Sequence, residues 1–258
     1  MRVAMLTHEP FYPPSGGGSA EAVYLVNELT RRGHKVHLFC PDFPDRNVVT
    51  AQFGITVHPF TGWRMGRHTP LRSLKYLAYP GALRQLVRRV AREIDFDAVL
   101  SQHAISSVAA GRLKTDLDVP VVMNFLDFLT GFMESWPRWR MPRLLLSRLM
   151  NHELSLPKRH DADAVLTVSK ELARRFAETG YNSDRIHTIL YGHDSKLFQA
   201  ENANRKSKTI AMHGSFDTHH LGPIATHAIT QVALTKPETR FLFIGTKTDE
   251  LNKLAKCV

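Results

Sequence analysis

Glycines and polar residues suited to binding a phosphate or a sugar follow the apolar, β-branched segments of this sequence. The run Gly16-Gly17-Gly18 lies between the first such segment and the first helical pattern. Glycines at this point let backbone N–H groups approach a ligand, and the start of the following helix favours an anion. The spacing is not G-x-G-x-x-G, so the run does not indicate a dinucleotide site. The alternative is a loop that needs glycine only for its turn.

Three further polar side chains, His103, Asp127 and Ser169, stand at or just after the ends of later apolar segments. In a doubly wound sheet, ligands bind outside the carboxyl ends of the parallel strands. We therefore predict that these residues share one cleft with the glycine run. Each of them alone is equally well explained as a helix cap or a loop residue, and Ser169 in particular suits the N-cap of the next helix.

Other chemistry-bearing patterns in the sequence are incomplete. The adjacent histidines of Asp217–His220 project in different directions, so we predict no metal site there even with His227 nearby. His152-Glu153 lacks the second histidine of H-E-x-x-H, which excludes a zinc peptidase of that type. Walker A and G-x-S-x-G motifs are absent from the sequence. We therefore expect neither a metal nor a cofactor.

The elements that must position these residues alternate between short strands and amphipathic helices. This pattern predicts an α/β fold with a doubly wound, Rossmann-like parallel sheet covered on both faces. The predicted strands are Val3–Thr7, Lys35–Cys40, Ile55–Phe60, Ala98–Gln102, Pro120–Phe125, Ala164–Ser169 and Ile186–Leu190. The predicted helices are Ser19–Arg32, Leu71–Glu93 with an interruption at Pro80-Gly81, Ile105–Lys114, Pro142–Pro157 and Lys170–Thr179.

A polar linker is predicted to divide the chain. Residues 199–208, QAENANRKSK, show no apolar periodicity and follow a first domain at 1–198. The strand–helix pattern then restarts over 209–258, which we interpret as the start of a second Rossmann-like domain. Its few elements bury too little apolar surface for a complete core, so this domain looks truncated.

Composition indicates a globular protein with a basic surface. The 258 residues are 43% hydrophobic and 22% charged, and the net charge is +10. Only Cys40 and Cys257 are cysteines, and we expect both to be free thiols. The sequence has no apolar run of transmembrane length and no signal-peptide pattern at its start, so we expect a cytoplasmic protein. A basic surface suits nucleic acid, an anionic membrane or a phosphorylated substrate.

Two basic regions concentrate this charge, Arg64–Arg92 and Phe132–Arg148. The second mixes phenylalanine and tryptophan with arginines, a combination suited to peripheral contact with an anionic membrane. The alternative is a solvated helix face with the aromatic rings packed inward. We do not expect nucleic-acid binding, because no helix-turn-helix, RRM or KH signature is present.

Five motifs occur in a characteristic order along the first 200 residues. They are Pro13-Pro14-Ser15-Gly16-Gly17, Glu28–Val36 (ELTRRGHKV), Asp97–His103 (DAVLSQH), Asp163–Ser169 (DAVLTVS) and Tyr191-Gly192-His193-Asp194 followed by Phe198. Together they resemble the N-terminal, acceptor-side domain of GT-B glycosyltransferases of family 4.

This resemblance implies a GT-B fold and transfer of a sugar from a nucleotide-sugar to a glycan or lipid-linked acceptor. It further implies a hexosyltransferase that retains the anomeric configuration and needs no metal, at work in cell-surface polysaccharide synthesis. The substrate-binding residues it suggests are Gly16, Gly17, Gly18, His103, Asp127 and Ser169 in the first domain and Gly214 and Ser215 in the second. No catalytic side chain is identified, because the donor phosphate itself can take the acceptor proton in such a mechanism.

Three departures separate the sequence from the family pattern. Leu126-Asp127 replaces the common His-Asp pair, and Met212–Phe216 lacks the arginine and lysine that usually hold the diphosphate. The sequence also ends before the E-x7-E motif. It therefore represents a fragment of a longer enzyme, an enzyme half that needs a partner, or a non-catalytic GT-B-like binding module. A Rossmann oxidoreductase is disfavoured, since Cys40-Pro41 stands where an acidic residue is expected.

Overall fold

The computed structural model divides into two compact units, Met1–Tyr191 and Gly192–Val258. The residues that it describes are 1–14, 16–61, 72–134, 136, 138–139, 141–193, 195, 208–214, 216, 221 and 223–256. The predicted linker at 199–208 lies outside them except for Lys208, as does Cys257.

The first unit is built on a seven-stranded sheet in which every described pair of neighbours is parallel. Its order is β3-β2-β1-β4-β5-β6-β7. The strands are β1 (Arg2–Leu6), β2 (Lys35–Pro41), β3 (Thr56–Phe60), β4 (Ala98–Gln102), β5 (Val121–Phe125), β6 (Ala164–Thr167) and β7 (Ile186–Thr188). The predicted doubly wound α/β fold is confirmed.

Helices connect successive strands of this sheet. They are α1 (Gly17–Arg31), α2 (Arg46–Phe53), α3 (Arg72–Val90), α4 (His103–Leu117), α5 (Leu129–Met133), α6 (Arg143–Arg159) and α7 (Lys170–Glu178), with a short 3-10 turn at Ser183–Arg185. The sequence did not predict α2 and α5, the two shortest α-helices described in this unit, because eight and five residues carry too little periodicity.

The predicted interruption at Pro80-Gly81 is wrong, since α3 continues through Pro80. Proline removes one backbone hydrogen bond from a helix and disfavours its continuation. Here Tyr79, Leu83 and Val87, spaced four residues apart, are all buried on one face of the helix. Burial of this apolar face stabilises the helix against the loss of one hydrogen bond.

Alternate residues of the strands supply two separate apolar cores. In β1, Ala4 and Leu6 belong to one cluster of buried side chains, and Val3 and Met5 belong to the other. Successive side chains of a strand point to opposite faces of its sheet. Both faces of the sheet are therefore covered by apolar side chains. Polar groups of the sheet can contact a ligand only at the strand ends.

The second unit contains a parallel pair, β8 (Thr209–Gly214) and β9 (Arg240–Gly245), with α8 (Pro223–Thr235) and α9 (Asp249–Leu254). A small apolar cluster joins these elements through Phe216, Leu221, Ile229 and Leu254. The side chain of Thr248 caps α9 by accepting a hydrogen bond from the Leu251 N–H at 3.2 Å.

Candidate functional site

The strand order of the first unit reverses between β1 and β4. The chain runs from β1 through β2 to β3 on one side, and from β4 through β5 and β6 to β7 on the other. Crevices at such a switch point are the usual ligand sites of open α/β sheets. The segments that leave the carboxyl ends of β1, β4 and β5 therefore define the candidate site.

His103 stands at this switch point in a strained backbone conformation. It directly follows β4, is the first residue of α4, and has a φ of 64°. This left-handed conformation costs a non-glycine residue about 1–3 kcal/mol, and such strain clusters at functional sites. The imidazole is largely buried, with 13% side-chain exposure, and its Nδ1 lies 3.4 Å from Oδ1 of Asp127. The structure therefore brings together two of the residues that the sequence analysis named, His103 and Asp127.

Gly18 faces the other nitrogen of the same ring. A Cβ built on Gly18 would lie 2.5 Å from Nε2 of His103 and 3.1 Å from Oε2 of Glu9. The ring therefore occupies the space that any larger residue at position 18 needs. Cβ atoms on Gly16 and Gly17 would meet no described atom within 4 Å. Of the three glycines, only Gly18 is required by packing against the site.

Two buried amides join helix α1 to the ends of β4 and β5. The Gln102 amide donates to Oε2 of Glu21 at 2.7 Å and to the carbonyl of Gly18 at 2.8 Å. The Asn124 amide donates to the two carboxylate oxygens of Glu21 at 2.9 and 3.1 Å. Glu21 thus holds the first turns of α1 against both strand ends.

Carboxylates determine the electrostatics of the imidazole. Burial acts to lower the pKa of His103, but the hydrogen bond and charge of Asp127, together with the charges of Glu9 and Glu21, outweigh it. The net result is a raised pKa. Within the described residues, the buried Nε2 has no hydrogen-bond partner. Asp127 therefore holds one ring nitrogen, and the other is an unsatisfied polar atom of the site among the described residues that face this ring.

The family model for Glycosyltransferase Family 4 matches residues 15–197, which is more than half of the chain. The chain belongs to this family. Among curated protein sequences, none matches it significantly.

Solved structures share the fold of this family 4 chain at low identity. Anabaena HepE, solved in complex with UDP and glucose, is 15% identical with a TM-score of 0.64, over 99% of this chain and 65% of HepE. Sucrose-phosphate synthase from Thermosynechococcus elongatus is 13% identical with a TM-score of 0.70, over 99% of this chain and 73% of that one. The lipopolysaccharide outer core galactosyltransferase WaaB is 11% identical with a TM-score of 0.55, over 99% and 71%.

Ser169, another predicted site residue of this family 4 chain, stands at a different strand end of the first unit from His103. Ser169 follows β6, two strands from β4, and its Oγ caps α7 by accepting from the Leu172 N–H at 3.1 Å. Gly214 ends β8 in the second unit with a φ of 131°, and Ser215 lies outside the described residues. In the described parts of the chain, no three His, Cys, Asp or Glu side chains are grouped so that they could hold a metal ion.

Sequence reasoning missed two acidic residues of the site, Glu9 and Glu21. Gln102 and Asn124 stand near the ends of β4 and β5, but nothing local marks Glu21 as their partner. It lies one helical turn after Gly18, so both face the strand ends. That spacing is the only sequence signal that would have found Glu21, and Glu9, within the loop after β1, has none.

The two basic regions of this family 4 chain differ in the structure. In the first, residues 62–71 lie outside the described part, and Arg84 forms a bidentate ion pair with Asp116 at 2.6 and 2.7 Å. In the second, Trp139 and Leu144 are 84% and 81% exposed. A cavity of about 490 Å³ lies beside them, lined by Met133, Glu134, Trp136, Arg138, Met141, Arg143 and Leu146. None of the described helices is long and apolar enough to cross a bilayer.

Proposed function

We propose that this chain forms part of a retaining, metal-independent glycosyltransferase of the hexosyltransferase type. It takes a sugar from a nucleotide-sugar donor and transfers it to a glycan or lipid-linked acceptor. The observation that carries the proposal is the strained, buried His103, with Asp127 on one ring nitrogen and a free Nε2 beside Gly18. HepE has been crystallised with UDP-glucose, so UDP-sugars are the first donors to test.

His103 acts in this proposal as a hydrogen-bond donor to a sugar hydroxyl. Its raised pKa favours the protonated ring, in which Nε2 carries a proton, and disfavours service as a general base. The carboxylates of Glu9, Glu21 and Asp127 around the ring repel phosphate, so the sugar rather than the diphosphate lies against His103. The open backbone at Gly16 and Gly17, next to the start of α1, is the part of this unit suited to the phosphates.

Binding and turnover test this proposal separately. Calorimetric titration of the folded chain with UDP, GDP and their common sugar conjugates is expected to show binding of one nucleotide. Proton NMR of the product then reads the anomeric configuration, and retention is expected in EDTA. Binding without turnover in the full-length protein would support a non-catalytic binding module instead. Turnover with inversion, or turnover abolished by EDTA, would refute the proposed mechanism.

We also propose that the protein works in the cytoplasm, in cell-surface polysaccharide synthesis, as a peripheral protein at the membrane face. Helix α6 returns the chain from the end of β5 to the start of the parallel strand β6, so its first turn lies toward the carboxyl edge that carries His103. The exposed Trp139, Leu144 and Arg138 lie at or just before this turn. Apolar side chains among arginines suit the headgroup region of an anionic bilayer, and would present the site to a lipid-linked acceptor.

Vesicle co-sedimentation tests this membrane contact. Arg138→Glu is expected to reduce binding to vesicles that contain phosphatidylglycerol. High salt screens charge attraction, so Trp139→Ala is expected to reduce the binding that remains at high salt. Lys35→Glu makes the same charge change at the first residue of β2, on the opposite edge of the sheet, and is the matched control. Equal losses for Arg138→Glu and Lys35→Glu would show a general effect of net charge and would refute a specific surface.

A further inference from the structure

Helix α6 carries a buried carboxylate that the sequence motifs left without a role. Glu153 is 4% exposed and accepts three hydrogen bonds. Its Oε1 accepts from the Leu129 N–H at 2.8 Å, and its Oε2 accepts from the Thr130 N–H at 3.0 Å and the Thr130 hydroxyl at 2.8 Å. All three donors belong to the start of α5, across the space between two helices.

Helix α5 depends on this carboxylate for its N-terminal cap. The first N–H groups of any helix have no partner within the helix. The residue before α5 is Phe128, which forms no side-chain cap. Glu153 supplies the missing acceptors from α6. Loss of these buried hydrogen bonds is costly, because each donor would be left unsatisfied.

The cap also holds the residue that contacts His103. Asp127 lies two positions before Leu129, in the segment that joins β5 to α5. Between them, the Phe128 ring lies 5.8 Å from the Phe176 ring, and the Arg175 guanidinium lies over it at 5.3 Å. The side chain of Asp127 itself is 47% exposed, so we infer that its place depends on its neighbours in the chain.

We propose that Glu153 is a positioning residue: it fixes the start of α5 and thereby holds Asp127 against Nδ1 of His103. Only its effect on turnover rests on the proposed glycosyltransferase function. The two carboxylates are also electrostatically coupled. Burial raises the pKa of Glu153 against the opposing effect of its hydrogen bonds, and the charge of Asp127 adds to the rise.

Glu153→Gln is the sharpest perturbation because it keeps the size of the side chain. The amide has one acceptor oxygen, and its NH₂ group faces one of the N–H or O–H donors. The start of α5 must then shift or lose a hydrogen bond. Thr130→Val removes only the hydroxyl donor and is the milder second variant. Glu93→Gln makes the same chemical change at an exposed position beyond α3 and is the matched control.

The direct readout is the pKa of His103, followed by histidine NMR and assigned by the signal lost in His103→Asn. The groups that face this ring are Asp127, Glu9, Glu21 and the His8 ring, of which Asp127 has the largest charge effect. Glu153→Gln is expected to lower the pKa of His103, Thr130→Val to lower it less, and Glu93→Gln to leave it unchanged. If both test variants destabilise the fold while this pKa stays unchanged, Glu153 is only structural and the proposal is overturned.

Turnover gives a second readout in the full-length enzyme. A displacement of about 1 Å at a group that positions the substrate costs up to roughly 100-fold in rate, so we expect kcat of Glu153→Gln to fall between about 10-fold and 100-fold. The donor KM is expected to change much less than kcat, because the proposed function places the donor phosphates at Gly16 and Gly17 and not at this helix start. If Glu153→Gln lowers the pKa of His103 but the parent protein has no transferase activity, the proposed function is refuted and the positioning role stands. A raised donor KM with unchanged kcat would refute the positioning role.

Discussion

Adding one methyl group at position 18 tests the central geometry of the site. In Gly18→Ala the new Cβ would lie 2.5 Å from Nε2 of His103. Non-bonded carbon contacts need about 3.5 Å, so one of the two groups must move by about 1 Å. The imidazole has little freedom to yield, since Asp127 engages its Nδ1 and α4 fixes its backbone. A shift of this size at a group that positions the substrate costs about 100-fold in rate, which is about 2.7 kcal/mol of activation free energy.

Stability is expected to respond much less than activity. Gly18 lies inside α1, where replacing glycine with alanine favours the helix by about 1 kcal/mol. Overpacking against the imidazole costs about 1–3 kcal/mol. These opposing effects leave a net loss of at most about 2 kcal/mol in the free energy of unfolding.

The assay compares initial transfer rates and thermal unfolding of Gly18→Ala with those of Gly81→Ala. Gly81 lies in α3, and a Cβ there meets no described atom within 4 Å. The control should keep its activity and gain slightly in stability. If Gly18→Ala keeps more than half of the parent rate, the inference that His103 must occupy this space for turnover is wrong.

Three further perturbations address charge, pH and capping. Asp127→Asn is expected to lower the pKa of His103, so kcat should begin to fall at a lower pH than in the parent enzyme. An unchanged pH profile of kcat would contradict the proposal that the protonated His103 ring donates to the sugar. His58 packs against Phe39 and lies 3.1 Å from Nδ1 of His37. Its pKa is lowered from 6.5 to about 4, first by burial and then by the charge of His37, so the unfolded state binds more protons between these values. The free energy of unfolding should therefore fall as pH decreases from 6.5 towards 4, and His58→Phe should flatten that dependence in urea titrations. Ser169→Ala should cost about 1 kcal/mol of stability through loss of the α7 cap, and a raised donor KM would show in addition that Ser169 contacts substrate.

Local sequence signals explain which parts of the fold and site were predictable. Strands of apolar, β-branched residues place His103 and Asp127 after neighbouring parallel strands, and the geometry of such a sheet then brings them together. The roles of Glu21 and Glu153 arise only from contacts between distant elements. In the sequence, Glu153 stands beside a histidine and invites comparison with a metal-binding motif. Its actual partners lie 23 and 24 residues away, in a helix too short to be predicted.

The junction between β4 and α4 contains no loop. Gln102 is the last residue of the strand, and His103 is the first residue of the helix. One inserted or deleted residue here would rotate the imidazole away from both Asp127 and Gly18. The chain between β5 and α6 is far longer, from Leu126 to Pro142, and carries the exposed tryptophan. Laboratory evolution towards new acceptors should therefore accept length changes between α5 and α6, and reject them after β4 and between β5 and α5.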